Sequence, residues 1–488
     1  MLDKDLASIQ ETRDLLRKAT AAQKKLSQMS QEQIDSICKA IAKAGFDNRE
    51  ELAKMAVEET GFGKWQDKVI KNEFASKRVF EAIKNMKTVG VLREDKEQKL
   101  TEIGVPIGVI AALIPSTNPT STVIYKSLIA LKAGNAIVFS PHPAAKNCIH
   151  KTVDLIRSAA VEAGCPADAI SVQTTLTMSG TEELMKSDLT KLILATGGSA
   201  MVKAAYSSGR PAIGVGPGNG PAYIETSADI ATAVKNIIES KTFDNGTICS
   251  SEQSIITDNK IKDQVIAELK KQKAYFLDKE ESARLAKFIL RDNGTMNPQI
   301  VGKDVATIAK LANLHVPNDA TVLIAPETRV GNKIPYSREK LGPILAFYTV
   351  DNWQDACRLC CEILTNEGAG HTMTIHSQND DIIKAFALEK PVSRLLVNTL
   401  GTLGGIGATT NLFPALTLGC GAVGGSSTSD NISPLNLINI KRVVQGVRTM
   451  KDIRGAAGEQ SSNIAGEDLS KEQLINLLVE RVINKLNT

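Results

Sequence analysis

Between residues 107 and 207 the chain alternates short apolar runs with helix-like segments, and this alternation limits its fold more than any other feature. Ile107–Ile114, Ala136–Ser140, Ser171–Gln173 and Lys191–Ala195 read as buried strands. Ser121–Leu131, Ala145–Ala163, Thr181–Lys186 and Ala200–Ser207 read as helices, with Gly134 closing the first and Gly164 and Pro166 the second. Strand–helix repetition with such short connections implies a doubly wound parallel sheet, its ligand crevice at the carboxyl ends of the strands. Three polar stretches sit at those ends: Pro115-Ser116-Thr117-Asn118, Ser140-Pro141-His142-Pro143 and Thr196-Gly197-Gly198-Ser199. No G-x-G-x-x-G follows the first strand, so the usual dinucleotide fingerprint is missing. The run Gly214–Gly220 reads at least as readily as a tight bend between elements.

At 488 residues the chain exceeds one ordinary core, so two large lobes are expected. A hydrophobic fraction of 42% with 23% charged residues is that of a soluble globular protein. The formal charge of +4, with no basic patch interleaved with aromatics, argues against nucleic acid as a partner. Met1-Leu2-Asp3-Lys4-Asp5 lacks the apolar core of a signal peptide, and Ile107–Pro115, the longest apolar run, is too short to span a bilayer. Eight cysteines are spread without a disulfide-like framework, which fits a reducing, cytoplasmic setting. Cys357, Cys360 and Cys361 fall on an amphipathic helix-like run with no second ligand pair at finger spacing, so packing is expected there and a metal is not.

Residues 4–87 read as helices, with Asp47-Asn48 capping Arg49–Thr60 and Gly61 stopping it. Thr88–Glu102 reads as a projecting hairpin. Cys249 then arrives in a polar loop, residues 240–254, between a helix-like segment and the strand-like run Ser254–Thr257. Polar neighbours and Gly246 suit a loop that presents a side chain, although a lone cysteine is as readily a packed small hydrophobe. A second α/β half runs to about residue 435, and Leu437–Val444 reads as a strand edge able to pair with another subunit. Residues 455–468, rich in Gly, Ala, Ser and Glu, read as a linker. Ser470 and Gln473 form a capping box for a last helix with Leu474, Ile475, Leu478, Val482, Ile483 and Leu486 on one face. That helix suits either docking on its own protein or laying its apolar face into a partner's groove.

Four stretches, taken in order, resemble the aldehyde dehydrogenase superfamily, and in particular its CoA-acylating branch: Ile-Pro-Ser-Thr-Asn-Pro-Thr-Ser-Thr (114–122), Phe-Asp-Asn-Gly-Thr-Ile-Cys (243–249), Glu-Lys-Leu-Gly-Pro (339–343) and Leu-Thr-Leu-Gly-Cys-Gly (416–421). The similarity covers roughly residues 10–450 and points to bacterial microcompartment propionaldehyde or acetaldehyde dehydrogenases and to the N-terminal half of bifunctional aldehyde/alcohol dehydrogenases. It implies that Cys249 is a nucleophile forming a thioester, with Asn118 and the Cys249 N–H as oxyanion donors. It implies NAD beside Pro115, Ser116 and Thr117, with Ser140, His142 and Pro143 toward the adenine ribose. Thr196, Gly197, Gly198 and Ser199 would lie near the pyrophosphate, Glu339 on the nicotinamide ribose, and Gly216 and Leu341 alongside. His371, in Gly-Ala-Gly-His-Thr, is a candidate base, with Cys420 and Leu418 expected along an acyl pocket and His376 holding a weaker claim.

One departure from the hydrolytic relatives carries physical weight. Where those carry a glutamate base, this chain has Val215, and valine takes no proton from water. Coenzyme A is a far more acidic nucleophile and needs less help. The resemblance therefore implies a short-chain aldehyde, NAD and CoA giving acyl-CoA and NADH, with hydrolysis to the free acid and a catalytically silent cargo or scaffold protein as the alternatives. It also implies an aldehyde dehydrogenase α/β fold of two doubly wound parallel-sheet domains plus a β hairpin for oligomerisation and a tail helix. Residues 1–87 and 105–240 would bind nucleotide, 241–435 would carry the cysteine, 88–104 and 436–450 would pair subunits into a dimer or dimer of dimers, and 455–488 would hold the linker and encapsulation helix. A shell protein is the partner that helix implies, inside a bacterial microcompartment.

Overall fold

The computed structural model describes residues 3–455 and 470–486. The linker expected at 455–468 lies, beyond its first residue, outside the described residues. The chain forms two compact units: residues up to Gly90 with Gly104–Ile440, and Val91–Ile103 with the chain from Lys441.

In the first unit, helices Lys4–Leu26, Gln31–Asp47, Arg49–Thr60 and Trp65–Glu73 fill the N-terminal stretch. Gly61 ends the third in the left-handed conformation, as expected. Asn48, expected to cap that helix, turns backward instead. Its amide donates to the Ala44 carbonyl at 2.8 Å, so it closes the preceding helix and the next begins with no side-chain cap.

Among the described residues the strands are β1 (Gly90–Asp95), β2 (Leu100–Pro106), β3 (Val109–Ile114), β4 (Ala136–Pro141), β5 (Ile170–Val172), β6 (Thr190–Thr196), β7 (Ala212–Val215), β8 (Gly220–Ile224), β9 (Glu252–Asp258), β10 (Ala274–Phe276), β11 (Val322–Pro326), β12 (Ile344–Val350), β13 (Gly370–His376), β14 (Val392–Val397) and β15 (Ile438–Val444). The first sheet runs β5-β4-β3-β6-β7, parallel throughout. β3 has β4 on one flank and β6 on the other, so strand order reverses between β3 and β6. Their carboxyl ends open the crevice there. Helix Pro119–Lys132, which leaves β3, is buried over its whole length, so even its lysines must find partners inside the protein. The Lys126 ammonium within it donates to the Leu113 and Leu194 carbonyls at 2.9 Å each, tying β3 to β6.

The second sheet is larger, with order β10-β11-β12-β9-β8-β13-β14, again parallel. It begins at Gly220, ahead of the boundary expected at residue 240. Ala222 and Ile224 of β8 share a core with Ala233, Val234 and Ile237 of the next helix and with Ile255, Ile324 and Leu345. The Gly-rich run before β8 and Pro221 within it hide this strand from a propensity reading. On the other face Tyr223 stacks on Phe386, and Cys357 and Cys360 pack in the same core from helix Trp353–Asn366. Packing is what the sequence predicts for these cysteines.

The second unit contains a three-stranded sheet, order β1-β2-β15, in which Arg442 Nε donates to Glu102 Oε1 at 3.1 Å. Helix Lys471–Leu486 opens with the expected reciprocal cap, Gln473 N–H to Ser470 Oγ and Ser470 N–H to Gln473 Oε1. Leu474, Ile475, Leu478, Val482 and Ile483 are all about half exposed. Among the described residues no helix is long and apolar enough to cross a membrane.

Candidate active site

Cys249 is delivered by a loop that few residue types tolerate. Asp244, Asn245 and Gly246 have φ of 47°, 52° and 72°, three consecutive left-handed residues, and Asp, Asn and Gly are the types that adopt this conformation most cheaply. The Asp244 carboxylate holds the loop. It accepts from Lys68 Nζ at 2.9 Å, from Lys71 Nζ, from the Lys64 N–H at 2.7 Å and from the Thr247 hydroxyl at 2.7 Å. All three charged groups are buried, and Lys68 and Lys71 lie one turn apart on helix Trp65–Glu73. Burial pushes the Asp244 carboxyl up, but Lys71 and Lys68 outweigh it and hold it below the usual value. Burial draws Lys71 down to about 8 against the pull of Asp244.

Lys71 also donates to Asn118 Oδ1 at 2.6 Å and to Thr247 Oγ1 at 2.9 Å. With its oxygen taken by an ammonium, the Asn118 amide must present its NH2 on the opposite side. Nδ2 donates to Thr117 Oγ1 and to the Thr247 carbonyl, both at 3.2 Å, long bonds that a stronger acceptor can displace. Among the described residues the Cys249 N–H donates to no carbonyl.

On the other side, His371 Nε2 lies 3.2 Å from Cys249 Sγ and Nδ1 lies 3.0 Å from Thr372 Oγ1. Burial, and then the nearby Arg394 charge, pull His371 down to about 3. Burial pushes the Cys249 thiol up to about 12, with Glu339 and Cys420 adding to the rise and Arg394 opposing it. The resting pair is therefore a thiol beside a neutral imidazole. Glu339 Oε1 accepts the Gly218 N–H at 2.9 Å, and burial raises its carboxyl to about 8. Gly218 must be glycine, since a Cβ there would fall 1.8 Å from the Cys249 carbonyl oxygen.

Asn118, Cys249 and Glu339 line a cavity of about 470 Å³, whereas His371, fully buried behind the cysteine, does not reach its wall. Pro115, Ser116, Thr117 and Asn118 enter it after β3, His142 after β4, and Thr196, Gly197 and Gly198 at the end of β6. Gly216, Cys249, and Glu339 with Leu341 enter from the segments ahead of β8, β9 and β12. The carboxyl edge of the first sheet thus faces the amino edge of the second. A model of the aldehyde dehydrogenase family matches residues 4–403.

The chain belongs to that family.

The bifunctional aldehyde-alcohol dehydrogenase of Escherichia coli is 43% identical over 450 residues, 91% of this chain but 50% of that protein, so the chain spans about half the length of such relatives. The acetylating succinate-semialdehyde dehydrogenase of Clostridium kluyveri is 39% identical over 88% of this chain and 95% of its own length. A solved structure of a probable aldehyde dehydrogenase from Listeria monocytogenes is 67% identical with a TM-score of 0.92, covering 93% of this chain and 100% of that one. An acetylating aldehyde dehydrogenase from Geobacillus thermoglucosidasius is 53% identical, TM-score 0.91, over 92% and 99% of the two chains. A propionaldehyde dehydrogenase from the Clostridium phytofermentans fucose utilisation bacterial microcompartment is 29% identical, TM-score 0.80, over 89% and 97%.

Within this family member, three of the expected cofactor positions do not line the cavity: Ser140, Pro143 and Ser199. Ser140 is buried with its hydroxyl 3.2 Å from that of Thr181, Pro143 begins an exposed turn, and Ser199 is the first residue of a helix. Leu418 lines the cavity as expected. Cys420 does not, being buried beside Arg394 instead. His376 lies buried with Nε2 lacking a partner among the described residues. The Gly214–Gly220 run is more than a bend, because it crosses between the two sheets and forms a cavity wall. Sequence reasoning missed Lys68, Lys71, Thr372 and Arg394, since a buried charged residue looks like any surface one until its partners are known. The Asp-Asn-Gly tripeptide was the one local signal available.

A nicotinamide dinucleotide fits what is present. Gly197, Gly198 and Gly216 each face open space where a Cβ would stand. Helix Ser199–Tyr206 starts with no side-chain cap, which leaves its first N–H groups for phosphate.

Proposed function

We propose that this chain is an acylating aldehyde dehydrogenase, converting a short aldehyde and coenzyme A to acyl-CoA through a thioester on Cys249. The observation that carries this is the Cys249–His371 contact beside a cavity where Val215, at the end of β7, occupies the wall that would have to supply a water-activating base.

The neutral His371 takes the thiol proton through Nε2 as Cys249 Sγ adds to the aldehyde carbonyl. Asn118 Nδ2 releases a long bond to meet the oxyanion, together with the Cys249 N–H. Pro115–Thr117, His142, Thr196–Gly198, Gly216, Glu339 and Leu341 would hold the dinucleotide, whose nicotinamide supplies the hydride acceptor when bound. Cys249 then carries the acyl group. Among the described residues Glu339 is the one carboxylate lining the cavity, and one of its oxygens is engaged by Gly218. No unengaged carboxylate therefore lines the wall to activate water, and the thiol of CoA, far more acidic than water, is the better partner for His371. The proton that His371 took from Cys249 leaves to solvent before the second half-reaction; the CoA thiol then gives its proton to His371 and attacks the thioester, and Cys249 leaves as a thiolate that takes this proton back. Ile406, Leu416 and Leu418 offer the acyl group an apolar lining suited to acetaldehyde or propionaldehyde.

The exposed apolar face of helix Lys471–Leu486 supports a second role, docking on a microcompartment shell protein, and the exposed β15 supports pairing between subunits. Deleting residues 459–488 should leave turnover intact and abolish encapsulation, whereas lost turnover would make the tail structural. The acyl-transfer reading is tested by a panel of aldehydes with CoA, scored for acyl-CoA by mass spectrometry. Free acid as the main product would refute it.

A further inference from the structure

We propose that Arg394 is a positioning residue that poises the Cys249–His371 pair, fixing the imidazole through Thr372 and placing an unmatched buried charge behind the reacting sulfur. The β13–β14 register sets Arg394 directly opposite Thr372. Arg394 Nε donates to Thr372 Oγ1 at 3.2 Å, and the same hydroxyl lies 3.0 Å from His371 Nδ1, whose Nε2 lies 3.2 Å from Cys249 Sγ. A continuous chain thus runs from guanidinium to thiol.

The rest of the guanidinium meets only neutral oxygens: the carbonyls of Ser429 at 3.1 Å and Gly419 at 2.5 Å, and Asn431 Oδ1 at 3.1 Å. Arg394 is 4% exposed and forms no ion pair among the described residues. Charges buried this deeply are normally paired, because an isolated one is strongly disfavoured. An anion that exists only during turnover, the Cys249 thiolate, is the partner this charge lacks at rest. The Thr372 hydroxyl serves both tautomers of His371. When it accepts the Nδ1–H, the Nε2 lone pair faces the thiol and can take its proton. Burial and the Arg394 charge both disfavour a lasting imidazolium, so His371 gives the proton up to solvent once the thioester has formed and is neutral again for the next thiol.

The inference rests on Cys249 being the nucleophile, but its test needs neither aldehyde nor CoA. The rate of Cys249 alkylation by iodoacetamide is measured against pH by mass spectrometry in the full-length protein. The groups that share its field are Glu339, Cys420 and His371, with Asp430 near Arg394, and the series is repeated with Glu339→Gln because Glu339 titrates in the working range. In Arg394→Met the alkylation rise should move up by about one pH unit, read as about tenfold slower reaction at a fixed pH. Arg394→Lys should restore most of it. Thr372→Val keeps the other three Arg394 bonds and so carries the test should Arg394→Met fail to fold. It should slow alkylation at neutral pH, with Thr372→Ser recovering it. Wild-type pH profiles in folded Arg394→Met or in Thr372→Val would overturn the proposal.

Discussion

Two buried positive regions flank Cys249, and they are built differently. Lys68 and Lys71 sit on Asp244, charge against charge, and their other bonds run to the Thr117 carbonyl, Asn118 Oδ1 and the Thr247 hydroxyl. Arg394 sits among neutral oxygens, and its bonds run to Thr372 and three backbone or amide groups. The lysine–aspartate cluster directs its charges at one another and sets shape: it holds a left-handed tripeptide in place and turns one amide toward the cavity. The unmatched arginine adds little to the loop's shape and sets potential at the sulfur. One side of the site is thus held by paired charge and the other is charged by an unpaired one.

Substitutions can break this contrast in order of size. Cys249→Ala removes the atom both sides serve, and aldehyde-dependent NADH formation should vanish with thermal unfolding unchanged. Asp244→Asn leaves two ammoniums buried without an anion and should cost about 3–5 kcal/mol, measured by denaturant unfolding. The Asp244 carboxyl titrates lower folded than unfolded, so its contribution is complete above the unfolded value and lost as pH falls through the folded one. Asp244→Asn should accordingly lose less stability on acidification than the parent. Asn118→Ala should lower kcat by roughly a hundred- to a thousandfold while leaving KM for the aldehyde within a few-fold, the mark of a bond made only in the transition state. Val215→Glu should add a slow release of free acid without CoA, detected by chromatography. If the parent itself releases acid, Glu339→Gln should stop it.

The first sheet was legible almost strand by strand, because β3, β4 and β6 are short apolar runs punctuated by glycine and proline, which is what a sheet covered on both faces demands. The second sheet was legible only in part. β8 is masked by Pro221 and its glycine-rich approach, so a strand of the second sheet was counted with the first. At the site, Cys249, Asn118, Glu339 and His371 stood out through resemblance and the structure brings all four together. Ser140, Pro143 and Ser199 came in with the same resemblance and do not line the cavity, because side-chain direction at a strand end is not visible in sequence. Lys71 and Arg394 could not be read at all. Lys71 falls on a helix of mixed polarity and Arg394 between Ser393 and Leu395 of a short strand, and only the packing shows that each points inward.

Mixing enzyme, NAD and propionaldehyde with and without CoA, while following NADH and identifying the product, decides whether an acyl group parked on one sulfur waits for a second. Without CoA, NADH should stop near one equivalent per Cys249, with the acyl group found on that residue; adding CoA should release acyl-CoA and restore turnover. Continuous NADH production and propionate at the same rate with no CoA present would contradict it.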